Sequence, residues 1–86
     1  MPRTVVLIGD GDLSDETARA LEAAGAEVSR RREPGEADVR EALEPGVDSV
    51  AVGERDDAVV LRMALMVRAV SDEIPLLLTI FDPTMA

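Results

Sequence analysis

Residues Thr4 to Ser14 read T-V-V-L-I-G-D-G-D-L-S, and they constrain the fold more than any other stretch. Val5-Val6-Leu7-Ile8 is an unbroken apolar run that ends at Gly9, the signature of a strand buried on both faces. A helical pattern begins almost at once after Gly11, with Leu13, Thr17, Ala20, Leu21 and Ala24 on one face. Asp12 or Ser14 is expected to cap this helix, and Gly25 to stop it. Strand, tight glycine turn and helix N-terminus gather backbone N–H groups at one corner, where an anion is favoured.

The remaining elements alternate in the same way. A second strand is expected over Glu27 to Arg31, with Val28 its only large apolar residue, followed by a short helix over Glu36 to Glu44. A third strand covers Ser49 to Val52. Asp56 or Asp57 then caps a third helix over Ala58 to Val70, in which only Arg62 and Arg68 interrupt the apolar character. A last strand runs from Pro75 to Ile80. A β-α-β-α-β-α-β order implies a parallel sheet with right-handed crossovers. The expectation is a single truncated domain over residues 1–86, an α/β Rossmann-like three-layer fold with a four-stranded parallel sheet in the order 3-2-1-4.

Charge and composition narrow the function. Eighteen acids face nine arginines, with no lysine or histidine, for a net charge of −9. That balance argues against a nucleic-acid partner, which needs a basic face, and against attraction to an anionic membrane. Cysteine is absent, so neither a disulfide framework nor a thiolate metal site is available. No apolar run approaches a membrane span and no signal peptide is read, so the expected location is cytoplasmic, without direct membrane insertion. With no His or Cys, and no Ser or Thr beside an obvious base, an enzyme is the least favoured class.

Set against the dinucleotide fingerprint G-x-G-x-x-G, the corner reads Gly9-Asp10-Gly11-Asp12-Leu13-Ser14, with serine at the third glycine. Ser14 is small enough to keep helix and strand close. Asp10 and Asp12 would oppose a phosphate dianion. The corner is therefore either a bare strand-to-helix turn with acids at the helix end or a working nucleotide cradle. Arg31 and Arg32, at the end of the second strand, suit either a ribose 2′-phosphate or pairing with the many acids. A receiver-type acidic pocket would need a later-strand lysine, which the chain lacks.

The stretch Asp56-Asp57-Ala58-Val59-Val60-Leu61-Arg62-Met63-Ala64-Leu65, then Ile74-Pro75 and Phe81-Asp82-Pro83, resembles the N-terminal lobe of regulator-of-potassium-conductance domains, also called Trk-type NAD(P)-binding domains. The chain differs from the family pattern at Ser14, at Arg31 or Arg32 in place of an acid, at Val60 in place of asparagine, and at Thr79 in place of arginine. The resemblance implies a regulatory and assembly domain of a potassium channel or transporter, its nucleotide binding weakened or lost by these departures. The alternative it implies is a working NAD(P) or adenine-nucleotide sensor. The residues concerned are Gly9, Gly11, Asp12, Leu13, Ser14, Arg31, Arg32 and Gly53, with no metal.

The third helix and last strand carry more apolar surface than one small sheet can cover, which marks a partner surface. The expected partner is a second copy, giving a homodimer joined through the third helix, the fourth strand or both. Met63 and Met66 are the side chains expected to adapt to it.

Overall fold

The computed structural model describes residues 3–78. Four strands alternate with three helices: β1 (Thr4–Ile8), α1 (Asp12–Ala23), β2 (Glu27–Arg31), α2 (Glu36–Ala42), β3 (Ser49–Val52), α3 (Asp57–Val70) and β4 (Leu76–Leu78). All strand pairings are parallel. The expected continuation of β4 through Thr79 and Ile80, and the Phe81-Asp82-Pro83 turn, lie outside the described residues.

The strand order is β2-β1-β3-β4, which corrects the expected 3-2-1-4. The third strand lies on the far side of β1, with Leu7 opposite Ala51 and Ile8 opposite Val52. Hydrophobicity explains the difference. β3 is buried from Val50 to Val52, whereas no residue of β2 is fully buried. The expected order would have put apolar β3 at an edge and polar β2 in the interior. The observed order gives β2, with its single large apolar residue Val28, the edge it can tolerate.

Period-two alternation then sorts the core into two layers. Val5 and Leu7 of β1 face α1, packing with Ala18 and Ala51 against Leu21 and Val28. Val6 and Ile8 face the other way, into a larger cluster with Val39 and Ala42 of α2, Val50 and Val52 of β3, and Val60, Met63 and Val67 of α3. One helix on one face and two on the other is the arrangement right-handed crossovers require when the chain steps first one way from β1 and then back past it. Fully burying a Leu, Ile or Val contributes roughly 1.5–3 kcal/mol, so this doubly covered β1 and β3 pair is the main source of stability.

The helix ends show smaller departures. α1 begins at Asp12 with Gly11 as its cap residue, and no side chain caps it. Neither Asp12 nor Ser14 serves as the cap, because both already lie inside the helix. Asp56 does cap α3, accepting the Ala58 N–H at 2.9 Å. α2 stops at Ala42, short of Glu44, because Pro45 disfavours helical backbone at the residue before it. On α3, Val60, Met63 and Val67 are buried, but Leu61 is 57% exposed and Leu65 72%. The nearly all-round apolar character of α3 points to burial on more than one side, and among the described residues that burial does not occur. No helix among the described residues is long and apolar enough to cross a membrane.

β1 and β3 meet most tightly just past their C-terminal ends. The Gly53 N–H donates to the Ile8 carbonyl at 2.8 Å, while on the other side of β1 the Gly9 N–H donates to the carbonyl of Arg31 in β2 at 2.9 Å. Gly9 has φ 145°, and a Cβ there would fall on the Gly53 carbonyl oxygen. Gly11 has φ 102° with open space where its Cβ would point. Both positions favour glycine, for different reasons. Gly11→Ala should cost ~1 kcal/mol through backbone strain alone. Gly9→Ala should add about 1–3 kcal/mol of overpacking to a similar strain. Urea unfolding of the two variants should rank Gly9→Ala clearly the less stable; equal midpoints would mean the two loops are not locked together.

Candidate functional site

The ends of β1 and β3 form the corner singled out by the sequence. Gly53 is buried, and a Cβ on it would lie 3.4 Å from Cα of Ser14 and 3.6 Å from Oγ1 of Thr17. These are ordinary contact distances, so α1 packs closely beside Gly53 with the small Ser14 on the helix side. Ser14 is fully buried and its hydroxyl donates to the Gly9 carbonyl at 3.2 Å. Serine satisfies the packing role of the missing third glycine and adds a tie across the turn.

Arg30 closes the other side of this corner. Its Nη2 reaches Asp15 at 2.8 Å and the Ser14 hydroxyl at 3.3 Å. Its buried Nε has no hydrogen-bond partner among the described residues. The alternation of β2 puts Arg30 on the α1 face and Arg31 on the opposite one, a distinction that the run of three arginines hides.

Three N–H groups, two in the glycine turn and one at the start of α1, point at carboxylates of the chain itself. Glu54 Oε1 accepts the Asp10 N–H at 2.7 Å. Asp10 accepts the Gly11 N–H, and Asp12 the Leu13 N–H, each at 2.9 Å. Hydrogen bonds from backbone N–H to an ionised carboxylate are short and strong. A phosphate entering here would have to displace Glu54 and then sit between like charges. Arg55 stands beside Asp12, with Nε 3.4 Å from Oδ1, and its hydrogen bond and positive charge hold the Asp12 carboxyl below the usual carboxylate range.

A crevice of about 560 Å³ opens beyond the ends of β1 and β3, on the face covered by α2 and α3. This is where the chain reverses direction in the sheet, the place where open α/β sheets hold ligands. Ile8, Val59, Met63 and Met66 form its apolar wall, and Asp10, Glu33, Glu54, Arg32 and Arg62 its charged rim. Arg32 is mostly exposed and lies 3.6 Å from Asp10.

The predicted site residues therefore separate into three groups. Gly11 and Arg32 line the crevice. Gly9, Ser14 and Gly53 are buried framework, and Leu13 is half-buried. Asp12 is exposed beside Arg55, and Arg31 lines an adjoining groove with Asp38 and Glu41 that shares Arg32, Glu33 and Pro34 with the crevice. Glu54 as the acceptor for the turn, and Arg62, Met63 and Met66 as crevice wall, were not predicted. Glu54 was hidden by the strand order: with β3 beyond β2 it would stand far from Asp10. Among the described residues, no three acids gather as a metal site.

The Asp12–Arg55 contact has a defined pH signature. Because the folded carboxyl titrates below the unfolded one, its contribution to stability is present above the ordinary aspartate range and fades as pH falls through the folded value. Both groups are exposed, so the contribution is small. Replacing Arg55 with alanine should move the Asp12 midpoint up toward the ordinary carboxylate range in an NMR titration; an unmoved midpoint would show that Arg55 is not the cause.

Comparison of the chain with protein-family models, with curated proteins and with solved structures finds no match.

Proposed function

We propose that the domain is a non-catalytic regulatory and assembly module, similar to the nucleotide-binding lobe of potassium channel and transporter regulators, whose nucleotide corner has lost most of its affinity. The observation that carries this reading is the Glu54 carboxylate on the Asp10 N–H at 2.7 Å. A group of the chain's own takes the donor that a bound pyrophosphate would need. Asp10 and Asp12 each accept the N–H of the residue that follows, Gly11 and Leu13. Ser14 and Gly53 keep the corner's shape, so the scaffold persists while its anion-binding capacity is spent internally. The partners under this reading are a second copy of the chain and a membrane potassium channel or transporter, met on the cytoplasmic side.

A second reading has one specific observation in its favour. The crevice volume falls within the ~300–1,000 Å³ range of small-molecule sites, and Arg32 and Arg62 stand on its rim. That favours a sensor for NAD(P) or an adenine nucleotide, with the phosphate held by arginine rather than by the glycine turn.

Calorimetric titration separates the two. NAD, NADH, NADP and ATP should each bind weakly or not at all to the unmodified chain. Glu54→Gln should raise the affinity for ATP, because it removes the charge from the group that fills the turn. A low-micromolar dissociation constant for any of the four with the unmodified chain would overturn the first reading. In that event a preference for NADP should depend on Arg32 and not on Arg31, and Arg32→Asp should reverse it.

A further inference from the structure

The exposed flank of α3 is patterned for a second copy of itself. At 100° per residue, Asp57, Leu61, Leu65 and Arg68 fall within an arc of about 80° on the helix. All four are exposed. The buried stripe of Val60, Met63 and Val67 lies to one side of them. Val59, Arg62 and Met66 are on the opposite flank, toward the crevice. The exposed stripe therefore looks away from α2 and past β4, which ends the sheet among the described residues.

The stripe runs acid, leucine, leucine, arginine from the N-terminus to the C-terminus of the helix. A stripe of that order is complementary to its own reverse. We infer that α3 packs antiparallel against α3 of a second copy about a two-fold axis, with Leu61 against the partner's Leu65 and Asp57 opposite the partner's Arg68. Each contact is made twice, as an isologous interface requires. The inference deepens, and rests on, the reading of this domain as an assembly module.

Charge favours this surface over the rest of the molecule. A chain of net charge −9 repels its own copy. Four acids and one arginine lie in α1, and three acids and one arginine in α2. α3 holds one acid and two arginines, so among the described residues it is the one helix without net negative charge. Two copies meeting here bring apolar and oppositely charged groups together while keeping the acidic helices apart. The pairing adds to the contacts these side chains already make. Arg68 uses Nη1 for the Ser71 and Ile74 carbonyls, and a guanidinium has five donors to share. The adaptable methionines do not belong to this surface: Met63 is 6% exposed in the core, and Met66 packs against that core.

The test is a charge swap read by light scattering across a dilution series of the full chain. The unmodified chain should show twice its 9.2 kDa mass. Asp57→Arg alone places arginine opposite arginine, and Arg68→Asp alone places acid opposite acid. Each should weaken the dimer by about tenfold or more. An equimolar mixture of the two variants restores both pairings and should dimerise like the unmodified chain. Arg68→Asp also removes two bonds to carbonyls, so Leu65→Glu serves as the second variant. At a position 72% exposed it should leave the far-ultraviolet circular dichroism unchanged while abolishing the dimer. A dimer that survives Leu65→Glu, or single swaps that lose nothing the mixture regains, would overturn the seam and leave the assembly reading standing. An unmodified chain that stays monomeric at every concentration would overturn both.

Discussion

The contact of Gly9 with Gly53 is the constraint on which the rest depends. Two parallel strands, β1 and β3, run side by side and their following turns touch with no room for a side chain between them. Because β3 is there, β2 is displaced to the edge and α1 has the Gly53 surface to approach. Because the two turns touch, the residue after Gly53 can reach the backbone after Gly9. The Glu54 bond to Asp10 is therefore a consequence of strand order. A sheet with the same strands in another sequence would leave the glycine turn open to solvent.

Much of this was legible in the sequence, and the parts that were not have physical causes. Apolar runs located β1 and β3 to the residue, and helical spacing located α1 and α3 to within a residue at each end. The expected 3-2-1-4 order follows the dinucleotide-fold pattern and gives no weight to the polarity of β2. Val28 alone among Glu27 to Arg31 could face a core, and a strand with one apolar residue belongs at an edge. The framework roles of Gly9, Ser14 and Gly53 follow from residue size and could be anticipated. The separation of Arg31 from Arg32 could not, because it depends on where β2 ends and how the chain turns toward α2.

The acids of the corner gain a structural meaning from this geometry. In isolation, Asp10 and Asp12 look like an obstacle to an anion. In the fold they and Glu54 are the anions: Glu54 and Asp10 accept N–H groups of the turn, and Asp12 accepts the Leu13 N–H in the first turn of α1, which has no partner within the helix. Such donors need partners whether or not a ligand is present. A turn that awaits a phosphate leaves them to water, whereas this one fills them with side chains. Arg55 offsets part of the resulting negative charge beside Asp12, and Arg32 does so more loosely beside Asp10. The corner is stabilised as it stands, and any ligand must compete with groups held at effectively very high local concentration.

The same economy of size shapes the far side of α3. A four-stranded sheet with two helices on one face can bury one stripe of each, and α3 spends Val60, Met63 and Val67 on that contact. Leucine at positions 61 and 65 then adds nothing to the core and leaves apolar surface in water. Leu77, 59% exposed on the opposite face of the edge strand, repeats the pattern. Scattered exposed leucines are ordinary on a protein surface. Two of them one helical turn apart, bracketed by an acid toward one end of the helix and a base toward the other, have a direction. That direction reverses under a two-fold axis and matches itself, and it is what the inferred α3 seam would use.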